Sequence, residues 1–309
     1  MKIIYFTTDR TMSYQRAAEF FKQKLAKLPD IRVQYVNEGG PISKILAKAN
    51  FAPDFIYIDN LERFILNHGP ITGLSKINIP KGLSFMDLHR NKELLLSFVK
   101  KNKIDLVFAH YRNAFLRDYP QLADRFRWLP HHVYTPVFKD YGYKKTIDYL
   151  LMGAINKNVY PLRFKIYKQM KYVKGFVYHS HPGYRNFTKQ EEQKIFIADG
   201  FAKEINRAKI FFTDHLIYNY PIAKYFEVLA CNTLLLANGS KELRDLGFID
   251  GVTYVEINKD NFIRKAQYYL KHEEERKEIA RRGYQMVRSQ HSTEIRAQQF
   301  ADELKRYLK

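Results

Sequence analysis

The chain has 309 residues, 46% of them hydrophobic and 27% charged, a composition that supports a packed core and excludes disorder. Lys and Arg number 52 against 32 Asp and Glu, and the net charge of +20 favours polyanionic partners: nucleic acid, anionic lipid, phosphorylated polymers or nucleotides. One cysteine, Cys231, excludes an internal disulfide framework and a cysteine-based zinc site, and no apolar run approaches the ~20 residues that span a bilayer.

Two domains are expected, at roughly 100–200 residues each. The first residues run straight into a strand pattern and are too short for a signal peptide. A cytoplasmic location follows as an expectation, with the inner membrane face as a peripheral site. In chain order, Lys2–Thr7 reads as a strand. Ala17, Phe20, Phe21 and Leu25 recur at helical spacing. Ile31–Val36 is the next strand, stopped by Gly39-Gly40-Pro41, and Phe55–Ile58 is apolar throughout, as a buried parallel strand should be. Leu83–Met86 is a candidate strand, Leu94–Lys101 a helix, and Ile104–Ala109 a strand ending at His110.

A second series follows a turn at Asp140-Tyr141-Gly142. Ile147–Met152 is a strand ending at Gly153. Leu162, Ile166, Met170 and Val173 mark a helix, and Gly175–His179 a strand running into His181-Pro182-Gly183. Ile210–Thr213, Thr233–Ala237 and Thr253–Ile257 are strands, Ile222–Ala230 is a helix, and 260–309 is helical with a break at His291-Ser292. Repeated β-α units argue for an α/β fold with doubly wound parallel sheets. Ligands bind such sheets beyond the carboxyl ends of the strands. The residues to examine are therefore Asp87, His89, His110, Gly153, His179 to Gly183, Asp214 and Asn238.

The most informative segment is 219–237. Pro221 suits the first turn of a helix, whose open amides favour a phosphate, and Lys224 adds a positive charge one turn in. Ile222 and Ala223 would supply those amides, with Asn219 and Tyr220 in the loop before them. Glu227 sits beside this phosphate site, a repulsive position unless the carboxylate has another task, such as accepting hydrogen bonds from ribose hydroxyls. By its residue type alone, Glu227 could equally be a solvated helix carboxylate. Asn232 stands where the helix must stop, and Asn tolerates the left-handed conformation there.

The run Lys224-Tyr225-Phe226-Glu227-Val228-Leu229-Ala230-Cys231-Asn232-Thr233-Leu234-Leu235-Leu236 resembles the hallmark of the CgeB-like (spore maturation) glycosyltransferases of the GT-B superfamily, with Asn232 where Gly is usual. Trp128-Leu129-Pro130-His131-His132-Val133, Gly153 with Tyr160-Pro161-Leu162-Arg163, His179-Ser180-His181-Pro182-Gly183-Tyr184, 206–212 and the tail from Glu274 through Gly283, His291 and Arg296 are similar as well. The likeness is strong from about Asp87 onward and thin before it. It implies two Rossmann-like domains facing across a cleft: 1–140 on the acceptor side and 141–290 binding a nucleotide-sugar. The helix 291–309 would cross back to the first domain. It further implies an NDP-sugar donor, UDP-linked by preference, with no permanently bound cofactor.

By the same resemblance Glu227 matches the ribose carboxylate and Arg163 the cation meeting the diphosphate. Gly153 and His179 fall in the donor site, and Asp87 and His89 in the first domain face the sugar as catalytic residues. Related enzymes carry a second Glu where Asn219 stands, which leaves the sugar and the catalytic geometry open. No Asp-x-Asp motif occurs, in keeping with members that neutralise the diphosphate with cations and helix dipoles instead of a metal.

From Lys139 to Lys189, eleven Lys and Arg face two Asp, with eight Tyr interleaved. Such a region is either a solvated face or a wall for an anionic acceptor: a cell-surface polymer, a glycan, a membrane surface or nucleic acid. A glycosyltransferase acting on modified bases of DNA and a non-catalytic polyanion- or sugar-nucleotide-binding protein stay open as alternatives.

Overall fold

The computed structural model describes residues 1–14 and 16–309. Packing divides the chain into two units: Met1–Thr11, Ala18–Pro130 and Glu294–Lys309 form the first, and Met12–Ala17 with His131–Thr293 the second.

The first unit carries strands β1 (Lys2–Phe6), β2 (Arg32–Val36), β3 (Gly40–Pro41), β4 (Phe55–Ile58), β5 (Ile71–Thr72), β6 (Lys81–Ser84), β7 (Leu106–Ala109) and β8 (Phe126–Trp128). Six of them form one parallel sheet in the order β2-β1-β4-β6-β7-β8, and β3 pairs with β5. Every residue of β4 and β7 is buried, so their unbroken apolar runs mark strands covered on both faces. Helices α1 (Ala17–Leu25), α2 (Ile42–Ala47), α3 (Leu61–His68), α4 (Lys92–Asn102) and α5 (Arg112–Asp118) connect them.

Helices α2, α3 and α5 and strand β8 were not expected. Each is short, too short for a helical or alternating period to stand out. Strand β6 begins earlier than the Leu83–Met86 expectation because Lys81 and Gly82, neither of them apolar, are buried in the sheet.

The second unit carries β9 (Ile147–Met152), β10 (Phe176–His179), β11 (Ala208–Phe212), β12 (Leu234–Ala237) and β13 (Val255–Glu256), parallel in the order β10-β9-β11-β12-β13. Helices α6 (Pro161–Met170), α7 (Lys189–Glu192), α8 (Asp199–Asn206), α9 (Ala223–Leu229), α10 (Lys241–Asp245), α11 (Phe262–Lys271) and α12 (Glu273–Gln290) accompany it. Its core joins Tyr149, Leu151, Ile166, Met170, Phe212, Leu234, Leu236 and Ile279. The unit takes in more than the expected 141–290. Val133 donates to the His291 carbonyl at 2.9 Å and Thr293 to the Val133 carbonyl at 3.0 Å, while the Asn206 amide holds the Lys139 carbonyl at 2.9 Å.

The last helix, α13 (Thr293–Leu308), supplies Ala297, Phe300, Ala301 and Leu304 to the core of the first unit. Their spacing is that of one helical face. The Phe300 ring lies 4.8 Å from Tyr57 and 5.1 Å from Phe108. Both units are Rossmann-like, the expected fold class. Among the described residues no helix is long and apolar enough to cross a membrane.

Candidate functional site

The second unit contains a cavity of ≈ 310 Å³ lined by Tyr14, Gly153, His179, His181, Phe196 and Lys224, among others. It opens at the carboxyl ends of β9 and β10, where an open α/β sheet binds its ligands.

Gly153 follows β9 with φ at 121°, a conformation that L side chains rarely adopt. A Cβ there would meet Arg163 Nη1 at 3.3 Å and Lys224 Nζ at 3.5 Å. The missing side chain thus lets two cations approach one strand end. Arg163 stands on α6, 2% exposed. Its Nε lies 2.8 Å from Asp214 Oδ1, its Nη1 and Nη2 donate to the Ala154 and Asp214 carbonyls, and the Tyr160 ring lies 3.8 Å from its guanidinium carbon. The sequence reading placed Arg163 on the diphosphate and had no partner for it. Its charge is balanced by Asp214, whose carboxyl burial drives upward against the pull of Arg163.

Helix α9 buries Tyr225, Phe226, Val228 and Leu229 and leaves Lys224 and Glu227, three residues apart, on its half-buried face. Pro221 stands just before the N-cap Ile222, which is extended (φ −72°, ψ 161°), so Pro221 leads into the first turn from outside it. Burial and the Arg163 charge draw the Lys224 amine well below the usual lysine range, opposed by Glu227 and Asp214. Burial raises the Glu227 carboxyl, opposed by Lys224. Among the described residues no carboxylate lies within ion-pair distance of the Lys224 ammonium, whose nearest ring partner is Phe201 at 5.5 Å. The Tyr225 hydroxyl donates to the Asn238 carbonyl at 2.7 Å, tying the helix to the end of β12.

His179 Nε2 donates to Glu204 Oε1 at 2.8 Å, and its ring packs 4.2 Å from Phe196. His181 accepts the Gly183 amide at Nδ1, 2.9 Å, so its proton sits on Nε2. Burial first, then Lys224 and Arg163, lower its pKa to about 4. The Tyr14 ring lies tilted 4.6 Å from that of His181, and burial together with Glu227 raises its hydroxyl far above the usual value.

The structure therefore gathers Gly153, Arg163, His179, Lys224 and Glu227 in one unit. Ile222 and Ala223 are half-buried at the start of α9. Asn219, with φ at 60°, is exposed in the preceding loop, and Tyr220 is 2% exposed, packed inside. Asp87 and His89 lie exposed in the first unit, after β6. Asn232 adopts the expected left-handed conformation, φ 51°. Cys231 is buried in the core. Sequence reasoning missed Tyr14, which comes from a segment far off in the chain, and the 194–196 stretch, which carries no motif.

The basic region divides. Lys145 is half-buried, its ammonium held by the Ala208 carbonyl and the Thr233 hydroxyl, both at 3.0 Å, and Arg163 is interior. Tyr149 is core, whereas Tyr172 and Tyr184 are 87% and 68% exposed. Among the described residues no group of three or more His, Cys, Asp or Glu is placed to hold a metal ion.

A family model described as glycosyl transferase-like matches residues 149–302, just under half the chain and the part that contains this cavity. Solved structures match over nearly the whole length. Sucrose-phosphate synthase from Thermosynechococcus elongatus superposes with a TM-score of 0.70 at 11% identity, covering 99% of both chains. The chain has the GT-B fold. HepE of Anabaena, solved in complex with UDP-glucose, is similar to this GT-B chain with a TM-score of 0.67 at 12% identity over 99% of it and 100% of HepE. A glycosyltransferase from Rickettsia africae gives 0.62 at 12% identity, over 100% and 98%. No curated protein matches the sequence.

Proposed function

We propose that the chain transfers a sugar from a UDP-linked donor to an anionic glycan or cell-surface polymer, as a CgeB-like member of the GT-B superfamily. One observation carries the donor half: the Lys224 ammonium faces a cavity beside Gly153, free of any carboxylate in ion-pair reach among the described residues, with Glu227 on the same helix face. A bound diphosphate would supply the missing negative charge, and charge-assisted hydrogen bonds to it would strengthen as the nucleotide leaves. Glu227 would accept the ribose hydroxyls, and the apolar side of the cavity, with Ile195 and Phe196, would take the base. HepE, with a similar fold, binds UDP-glucose, which supports this donor class. Asp87 and His89 are proposed to face the transferred sugar, and no permanently bound cofactor is invoked. The net charge of +20 supports the anionic acceptor.

The test is a thermal-shift series with UDP, GDP, UDP-glucose and 2′-deoxy-UDP, since a ligand that binds only the native state raises the melting temperature. Uridine nucleotides should stabilise the wild type, with UDP ahead of its 2′-deoxy form. Glu227→Ala should erase that preference. Absence of any nucleotide-dependent shift would sink the donor reading.

A further inference from the structure

At the carboxyl edge of the first unit, three neighbouring strands, β1, β4 and β6, end in a polar cluster that the donor reading does not use. Thr8 and Arg10 follow β1, Asp59 and Asn60 follow β4, and Ser84 closes β6. Arg10 and Asp59 are buried, with side chains 7% and 6% exposed, yet they meet loosely: Nη2 to Oδ2 is 3.6 Å, beyond a hydrogen bond. Ser84 donates to Asp59 Oδ1 at 3.1 Å and accepts the Asn60 amide at 2.8 Å. That leaves Arg10 Nε and Nη2, Asp59 Oδ2 and Thr8 Oγ1 buried with no hydrogen-bond partner. Buried groups in native proteins are nearly all satisfied, so four such atoms in one place mark a seat for something polar.

The charge count gives its sign. Arg63, in the first turn of α3, is half-buried and has no ion-pair partner among the described residues. Burial first, then Arg10, lower its pKa and Asp59 opposes them, so the three side chains share one field. Glu19, the other nearby acid, is committed to the Lys22 ammonium and the Arg10 amide, both at 2.8 Å. Two guanidinium groups thus share a single carboxylate. Asp59 Oδ2, however, would repel a bare anion and wants a hydroxyl donor. A ligand that satisfies both demands carries an anionic group and a hydroxyl side by side.

We propose that Arg10, Arg63 and Asp59 hold an anionic sugar of the acceptor, with its phosphate or carboxylate on the two arginines and an adjacent hydroxyl on Asp59. This deepens the acceptor half of the proposed function and rests on it only for the ligand's role in transfer. Arg63 and Asn60 are half-buried, so the cluster reaches the surface on their side.

The test is a binding titration with inorganic phosphate, glucose 6-phosphate, glucuronate and glucose. It is run on the full chain and on Lys224→Ala, which disables the donor site and keeps the two readings separable. Phosphate and at least one anionic sugar should stabilise both proteins, with glucose inert, and the stronger of the two sugars tells phosphate from carboxylate. Arg63→Gln, a half-buried site that should fold, should weaken that binding about tenfold or more, the loss of one charge-assisted contact. Arg10→Lys, which keeps the charge and loses the fork, should do the same. Phosphate binding that is absent in Lys224→Ala, or unchanged in Arg63→Gln, would overturn the proposal and leave the donor reading untouched.

Discussion

Arg163 and Asp214 form a buried ion pair, Nε to Oδ1 at 2.8 Å, directly behind Gly153. Removing one partner strands the other's charge in the interior. Asp214→Ala should therefore lower stability by about 3–5 kcal/mol, whereas an Arg163→Met/Asp214→Leu double variant should recover much of the loss. Urea titration of the three proteins measures both values. A single variant as stable as wild type would show that the pair is not buried in solution.

Lys224 yields a pH prediction with a definite sign. Its amine is charged below its own pKa, and burial has moved that pKa down from the ordinary value of about 10.4. UDP affinity should therefore be held near neutral pH and decline on the alkaline side well before the ordinary lysine range. Lys224→Arg, permanently charged, should abolish that alkaline decline even if it binds more weakly overall. Calorimetric titration of UDP at several pH values would expose the limb or its absence.

His181 should stay neutral through the physiological range. Its pKa of about 4 lies below the unfolded value of about 6.5, so the folded state refuses a proton that the unfolded chain accepts. The stability that this provides is complete above the unfolded value and fades as pH falls towards the folded one. Nitrogen-15 NMR should find a single neutral tautomer, protonated at Nε2, with no titration between about pH 5 and 8. A midpoint inside that interval would contradict the burial described.

Gly283 sits in α12 where the helix crosses the second unit's core. A Cβ there would stand 2.3 Å from the Thr253 carbonyl and 2.9 Å from Leu229 Cδ2. Gly283→Ala should cost about 1–3 kcal/mol by overpacking, despite the better helix propensity of Ala. Thermal denaturation checks this, and a stabilised variant would mean that the helices part easily.

How much of this was legible in the sequence depends on the range of the interactions. The strands Phe55–Ile58 and Ile147–Met152 coincide with their sequence-based bounds, because unbroken apolar runs between turn signals are local information. The left-handed Asn232 and the placing of Lys224 and Glu227 near the start of one helix were legible for the same reason. Tyr14 beside His181 was not, nor was Asp214 beside Arg163. Each pair joins residues that only the folded chain brings together, and no spacing rule predicts them. Arg10 carried no signal either, since burial of a lone arginine leaves no trace in the pattern around it.

Phe300 and its neighbours on α13 have a consequence for how the chain matures. A ribosome makes Ala297–Leu304 only after the entire second unit has been synthesised, yet the β1, β4 and β7 faces wait for them. The earlier-made sheet must spend the intervening synthesis with an apolar face uncovered. That interval makes it a natural client for a chaperone, and the late helix is the cap that ends the exposure.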